Sequence, residues 1–186
     1  MVAAIILAAG ASQRMGSPKA LLPIADSTLL QRILEVVKKT CNEIVIVTRK
    51  ELQVDIMLNA PESRIVTNPM PENGRTGTIQ VGLLALEIPT AALIVPVDRP
   101  GFNFETIEAL LKAGGCVRPV HNGRGGHPVL LDREAIRKVM SAEANASLRE
   151  ILEFNDVQVE GVDFSLNVDR PDDLQKLTQW YVSQDT

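Results

Sequence analysis

Residues 2–9, 43–48 and 91–97 are almost uninterrupted runs of Val, Ile, Leu and Ala. A strand with one wet face alternates polar and apolar positions, so these runs predict strands of a parallel sheet covered on both sides. Between them the spacing changes to that of a helix. Leu29, Leu30, Ile33, Leu34, Val36 and Val37 share one face of a helix capped by Ser27, with Lys38 and Lys39 in its last turn. Residues 78–86, stopped before Pro89, and 104–113, stopped by Gly114 and Gly115, repeat the theme.

This alternation of strand and helix is a βαβ series with right-handed crossovers, and it predicts a three-layer αβα, doubly wound sheet. The second half is less regular. Short strands are expected at 128–131 and 157–160, and helices near 133–140, 148–154 and 172–182. The sheet should therefore be mostly parallel but mixed, with antiparallel additions. A length of 186 residues, set against roughly 150 per domain, and the lack of any repeat or linker-like stretch predict one domain over 1–186.

Composition narrows the function. Lys and Arg number 19 against 23 Asp and Glu, a net charge of −4, so there is no global basic field for nucleic acid or anionic lipid. Four Phe, one Trp and one Tyr leave little for base-stacking platforms. Cys41 and Cys116 lack metal-ligand spacing and are too few for a disulfide framework, which suits free thiols in a reducing compartment. The apolar start runs into Gly10, Ala11 and Ser12 like a secretory leader, but it lacks a basic beginning. It also falls far short of the roughly 20 residues that cross a bilayer. A buried first strand and a cytoplasmic location are the expectation.

The richest stretch for chemistry is Leu7-Ala8-Ala9-Gly10-Ala11-Ser12-Gln13-Arg14-Met15-Gly16-Ser17-Pro18-Lys19. It leaves the carboxyl end of the first strand, where open α/β sheets bind ligands. Small residues let backbone N–H groups approach a phosphate, so Gly10, Ala11 and Ser12 can cradle a polyphosphate while Arg14 and Lys19 neutralise it. The spacing is not that of a P-loop, and Gly-x-Gly-x-x-Gly is absent. An ordinary strand-to-helix turn with solvated cations is the competing reading.

With Ala20-Leu21-Leu22-Pro23 following, this loop resembles the signature of the nucleotidyltransferases of the molybdenum cofactor guanylyl- and cytidylyltransferase-like family. Ala9 stands where the guanylyl branch usually has a second glycine, so the sequence is more similar to the cytidylyl branch. The resemblance spans nearly the whole chain. It implies a nucleotide-diphospho-sugar transferase-like fold, a nucleotide held by the segment from Leu7 and Ala8 through Ala9, Gly10 and Ala11 and by Lys19, and Arg14 on the phosphates.

Residues 91–100 form a buried strand delivering Asp98 at its carboxyl end. A carboxylate there can hold Mg²⁺ against a triphosphate; it can equally cap the next helix or form an ion pair. The resemblance favours the metal. Val97 and Arg99 depart from the family pattern, and Arg99 is read as a surface cation in preference to an extra phosphate contact. Asn167-Val168-Asp169-Arg170-Pro171-Asp172-Asp173 resembles the family's late motif supplying a second metal carboxylate, Asp169. Asp172 and Asp173 belong to helix initiation.

The stretch from Asn68 through Gly74 to Thr78 resembles the family's base-side loop, with Arg75 and Gly77 as departures; a surface loop is the alternative. Gly126 and His127, in a Gly-His-Pro sequence, fall where cytidylyltransferase-like members meet the acceptor. His121 has no such context. Two histidines without a ligand cluster make no zinc site, and no Gly-x-Ser-x-Gly elbow is present. The resemblance thus implies Mg²⁺-dependent transfer of a nucleotide, from CTP in preference to GTP, to a phosphate-bearing acceptor such as molybdopterin, with pyrophosphate released and a molybdoenzyme as client. A sugar or alcohol phosphate is the alternative acceptor. A nucleotide-binding or chaperone module without turnover is the alternative class.

Overall fold

The computed structural model describes residues 2–10, 16–170 and 172–184. Its elements in chain order are β1 (Ala3–Leu7), β2 (Pro23–Ile24), β3 (Ser27–Thr28), α1 (Leu29–Val37), β4 (Glu43–Thr48), α2 (Gln53–Asn59), β5 (Arg64–Thr67), α3 (Arg75–Ala85) and β6 (Ala91–Pro96). They continue with α4 (Phe104–Ala113), β7 (Val117–His121), β8 (Arg124–Gly125), β9 (Val129–Asp132), α5 (Arg133–Ser141), α6 (Leu148–Ile151), β10 (Asn155–Gln158) and α7 (Asp173–Gln184).

Eight strands form one sheet in the order β10-β7-β9-β6-β1-β4-β5, with β8 paired to β7. β1 lies at its centre, parallel to β4 on one side and to β6 on the other. Every residue of β1 is buried. The alternation of side chains splits it between two cores. Ala4 and Ile6 join Leu30 and Ile33 of α1, Ile56 of α2, Leu110 of α4 and Leu177 of α7. Ala3, Ile5 and Leu7 join Ile79 and Leu83 of α3 and Ile136 of α5 on the opposite face. The three-layer, mostly parallel architecture expected from the apolar runs is therefore the one observed.

Several boundaries differ from the sequence reading. Thr28, not Ser27, caps α1: its hydroxyl accepts from the Gln31 N–H and the Gln31 side chain accepts from the Thr28 N–H, a reciprocal capping box. Ser27 instead pairs in the small β2–β3 hairpin. Lys38 and Lys39 lie beyond the end of α1 at Val37. α3 begins at Arg75, three residues before the expected start, because Gly74 (φ 104°) ends the preceding turn. The helix expected over 148–154 is a single turn, and the chain at Leu152 is already extended.

β10 runs two residues earlier than expected and lies parallel to β7; β9, between β6 and β7, is antiparallel to both. α4 has the expected limits, capped by Asn103 with Thr106 and ended by Gly114 (φ 64°). Cys41 and Cys116 are free thiols. Burial pushes both up, Cys116 to about 11, which leaves them protonated and inert at neutral pH.

Candidate active site

Strand order reverses at β1, since β4 continues the sheet in one direction and β6 in the other. Beyond the carboxyl ends of two such neighbours the connecting segments diverge and leave a crevice. A cleft of about 250 Å³ opens there, lined by Leu7–Gly10 from β1, Pro96–Asp98 from β6, Lys19, and Gly74, Arg75 and Thr78 from the start of α3. The sheet stays paired up to its rim: the Ala8 N–H donates to the Val47 carbonyl at 2.8 Å and the Val97 N–H to the Leu7 carbonyl at 3.2 Å. The two strand exits are thereby held rigid. Gly10 lines the cleft, and among the described residues a Cβ added there would meet no atom within 4 Å.

Lys19 enters on a short 3₁₀ turn, Lys19–Leu21, whose Ala20 and following Leu22 are buried. Its Nζ donates to Asp169 Oδ1 at 2.6 Å and stands 3.9 Å from Asp98 Oδ2. Arg75 Nη2 also lies 3.9 Å from Asp98 Oδ2. Two carboxylates and two cations thus converge at one end of the cleft. Asp98 is not the cap of α4, a role filled by Asn103, and its ion-pair partners are Lys19 and Arg75.

Asp169 reaches this point through its neighbours. The Val168 N–H donates to the Asp98 carbonyl at 3.1 Å, and the Asp163 N–H to the Gly101 carbonyl at 3.1 Å, which ties residues 163–168 alongside the exit of β6. Asn167 donates to Asp169 Oδ2. Asp173 accepts from the Asp169 and Arg170 N–H groups at 2.9 and 2.8 Å, the structural duty expected at the start of α7.

On the base-side loop, Thr78 lines the cleft but its hydroxyl is committed: it donates to the Gly74 carbonyl at 3.1 Å and accepts from Asn68 Nδ2 at 3.0 Å. Asn68 is buried, and its Oδ1 accepts from the Met70 N–H. Gly74 and Thr78 shape the wall, and Asn68, which does not line the cleft, reaches it through its bond to Thr78. A Cβ added at Gly77 would stand 3.2 Å from the Ala144 Cβ, tighter than ordinary contact, so the glycine lets α3 approach that loop, with the Gly77 N–H donating to the Ala144 carbonyl at 2.9 Å. Ala11, Ser12 and Arg14 fall outside the described residues.

A second, larger cleft of about 970 Å³ adjoins the first, with Arg75 lining both. Gly126 and His127 line it, as do Arg99, Arg118, Arg124 and Arg149. Gly126 is packed beneath Phe164, whose Cδ1 would lie 2.2 Å from any added Cβ. Burial, with Arg75, Arg99 and Arg149 nearby, pushes His127 down to about 3, so its imidazole is neutral at physiological pH. Arg99 is not the surface cation expected: it is half-buried and its Nε is shut off from solvent without a partner. His121 is held structurally, its Nδ1 2.9 Å from the Val159 carbonyl.

Sequence reasoning missed Arg118, Arg124 and Arg149. They come from β7, β8 and α6, and no linear motif joins them.

The MobA-like NTP transferase domain matches residues 4–160. The chain is 27% identical over 177 residues to the molybdenum cofactor cytidylyltransferase of Escherichia coli, covering 91% of this chain and 92% of that one. It is 32% identical over 161 residues to the nicotine blue oxidoreductase of Paenarthrobacter nicotinovorans, covering 78% and 79%. To a probable molybdenum cofactor guanylyltransferase of Bacillus cereus it is 28% identical over 183 residues, covering 90% and 88%. A nucleotidyl transferase from Methanothermobacter thermautotrophicus superposes with a TM-score of 0.81 at 17% identity, over 99% of each chain, so the αβα fold is that of the nucleotide-diphospho-sugar transferase type. The match over most of the chain, on a crevice at the carboxyl ends of β1 and β6, places this protein in the MobA-like NTP transferase family.

Proposed function

We propose that the chain transfers a nucleotidyl group from an NTP, with CTP preferred over GTP, to a phosphate-bearing small molecule such as molybdopterin, releasing pyrophosphate. The observation that carries this reading is the convergence of Asp98 and Asp169 on Lys19 at the mouth of β1 and β6. The preference for CTP rests on Ala9 in the first loop.

The donor set suits Mg²⁺, which takes one or two carboxylates and completes its shell with phosphate oxygens and water. Asp98 and Asp169 are two such ligands meeting at one place. Among the described residues no group of three or more His, Cys, Asp and Glu gathers, so the site is not a closed protein cage and suits a cation arriving with its nucleotide. When bound, the ion neutralises charge on the triphosphate and orients it for displacement.

The chain's own groups do the rest. On this reading the small residues that follow β1 in the sequence let backbone N–H groups approach the triphosphate, and Lys19 and Arg75 supply fixed positive charge where the leaving group forms. An oxygen of the acceptor phosphate bonds to the α-phosphorus as the bond from that phosphorus to the α,β-bridging oxygen breaks, and pyrophosphate departs with that oxygen. Donors held in place by a rigid sheet stabilise the transition state without reorganisation. His127, neutral, offers hydrogen bonding on the acceptor side and carries no proton for acid catalysis at neutral pH.

A panel of four NTPs against molybdopterin and sugar or alcohol phosphates, read by pyrophosphate release, tests the proposal. The expected result is release with CTP and molybdopterin that requires Mg²⁺. Release with a sugar phosphate alone moves the acceptor; nucleotide binding without release from any pair would make the chain a binding module.

A further inference from the structure

We propose that the large cleft is built for an acceptor carrying an anionic group additional to the phosphate that receives the nucleotide. The proposal rests on the nucleotidyl-transfer reading and extends it to the charge of the substrate. Among the described residues five arginines line the cleft and no aspartate or glutamate does, in a chain whose net charge is −4.

Two of these cations are partly answered within the protein. Arg118 is held by Asp156 at 2.6 and 3.4 Å, and Arg75 stands 3.9 Å from Asp98. Arg99, Arg124 and Arg149 form no ion pair with a described carboxylate. A phosphomonoester brings about −1.5 to −2 at neutral pH, and the three guanidiniums leave positive charge on the cleft wall that attracts a further carboxylate, phosphate or other anionic group on the acceptor.

A further observation points to a ligand. Arg99 Nε and His127 Nδ1, both on residues that line the cleft, are cut off from solvent and have no hydrogen-bond partner among the described residues, although buried polar groups are nearly always satisfied. Burial first, and then the nearness of Arg75, Arg99 and Arg149, pushes the His127 imidazole down, so it faces the cleft as a neutral group. At about 970 Å³ the cleft is of small-molecule size, which favours a low-molecular-weight anion over a flat macromolecular surface.

Calorimetry on the full chain, with Mg²⁺ and a non-hydrolysable CTP analogue present, tests this using two probes of equal carbon skeleton, glycerol 3-phosphate and 3-phosphoglycerate. The carboxylated probe is expected to bind at least tenfold more tightly at low salt, and Arg149→Gln and Arg99→Gln are each expected to remove most of that preference. Arg149 is exposed on a one-turn helix, so its variant should fold normally. Equal affinity for the two probes, or a preference untouched in both variants, overturns the proposal. In a second titration, begun with 3-phosphoglycerate and Mg²⁺ alone, displacement of the bound 3-phosphoglycerate on adding the CTP analogue also overturns it, by assigning the cleft to the triphosphate. CTP binding, read in the same preparations, reports separately: its loss with the anion preference intact counts against nucleotidyl transfer, not against the anion site.

Discussion

At the scale of single residues, Lys19 stands between the carboxylate that leaves β6 and the one that precedes α7. Its ammonium bridges two carboxylates 150 residues apart from it or less, at 2.6 and 3.9 Å, while it remains 15% exposed. A partly solvated pair of this kind contributes on the order of 1 kcal/mol or less to folding. A cation acting on a departing pyrophosphate is worth roughly 10²–10³ in turnover. Lys19→Ala is therefore expected to lower pyrophosphate release by at least a hundredfold while its urea midpoint stays close to wild type; a midpoint that falls with activity unchanged would make the lysine structural. His127 gives an independent test. Its value of about 3 in the folded chain lies below the ordinary value near 6.5, so between these pH values the unfolded chain binds the extra proton and stability falls as the solution is acidified. Unfolding free energies measured at pH 7 and pH 4.5 should show wild type losing about 2–3 kcal/mol more than His127→Gln over that interval. Equal losses would place the imidazole in water.

At the scale of elements, the site depends on how closely the segment before α7 lies against the exit of β6. A Cβ at Gly101 would stand 1.9 Å from the Asp163 carbonyl oxygen, a backbone atom that cannot turn aside. Gly101→Ala is expected to destabilise the fold by roughly 1–3 kcal/mol, the usual range for overpacking, and to weaken Mg²⁺-dependent nucleotide binding because Asp169 is displaced with its segment. Thermal unfolding and calorimetry on one preparation check both halves; a variant with native stability and native Mg²⁺ dependence would show that the two segments are not coupled. Elements were legible in the sequence where one pattern decides them. The apolar runs of β1, β4 and β6 admit burial on both faces, and Gly114 with Gly115 marks the end of α4, whereas its Asn103 cap was not read. β5, with Arg64 at its start, and β7, interrupted by Arg118 and Pro119, lack such a run and were not anticipated. Proline within a strand argues against one, yet β7 keeps its place between β9 and β10. Asp98 could be read from its place after a buried strand, whereas Asp169 was reached through family resemblance. The arginines of the large cleft were illegible because residues 75, 99, 118, 124 and 149 meet only through tertiary packing.

At the scale of the whole molecule, a nucleotide that bridges the exits of β1 and β6 binds the folded chain and not the unfolded one. It should raise the unfolding temperature by mass action, worth about 2.7 kcal/mol at a hundred times its Kd. In the presence of Mg²⁺, CTP is expected to raise it more than GTP at equal concentration; a clear advantage for GTP would reverse the proposed base preference and leave the transferase reading in place. The crevice proposed to hold the triphosphate and the arginine-lined cleft adjoin at the start of α3, with Arg75 on the wall of each. That adjacency is what group transfer between two bound anions needs.

The most direct measurement of the central claim follows the α-phosphate itself. CTP labelled at that phosphorus is incubated with Mg²⁺, molybdopterin and either wild type or Asp98→Asn, and the label is traced into the acceptor. The account predicts stoichiometric label in the acceptor and unlabelled pyrophosphate with wild type, and neither with Asp98→Asn although that chain still folds. Label transfer by Asp98→Asn at the wild-type rate would contradict it.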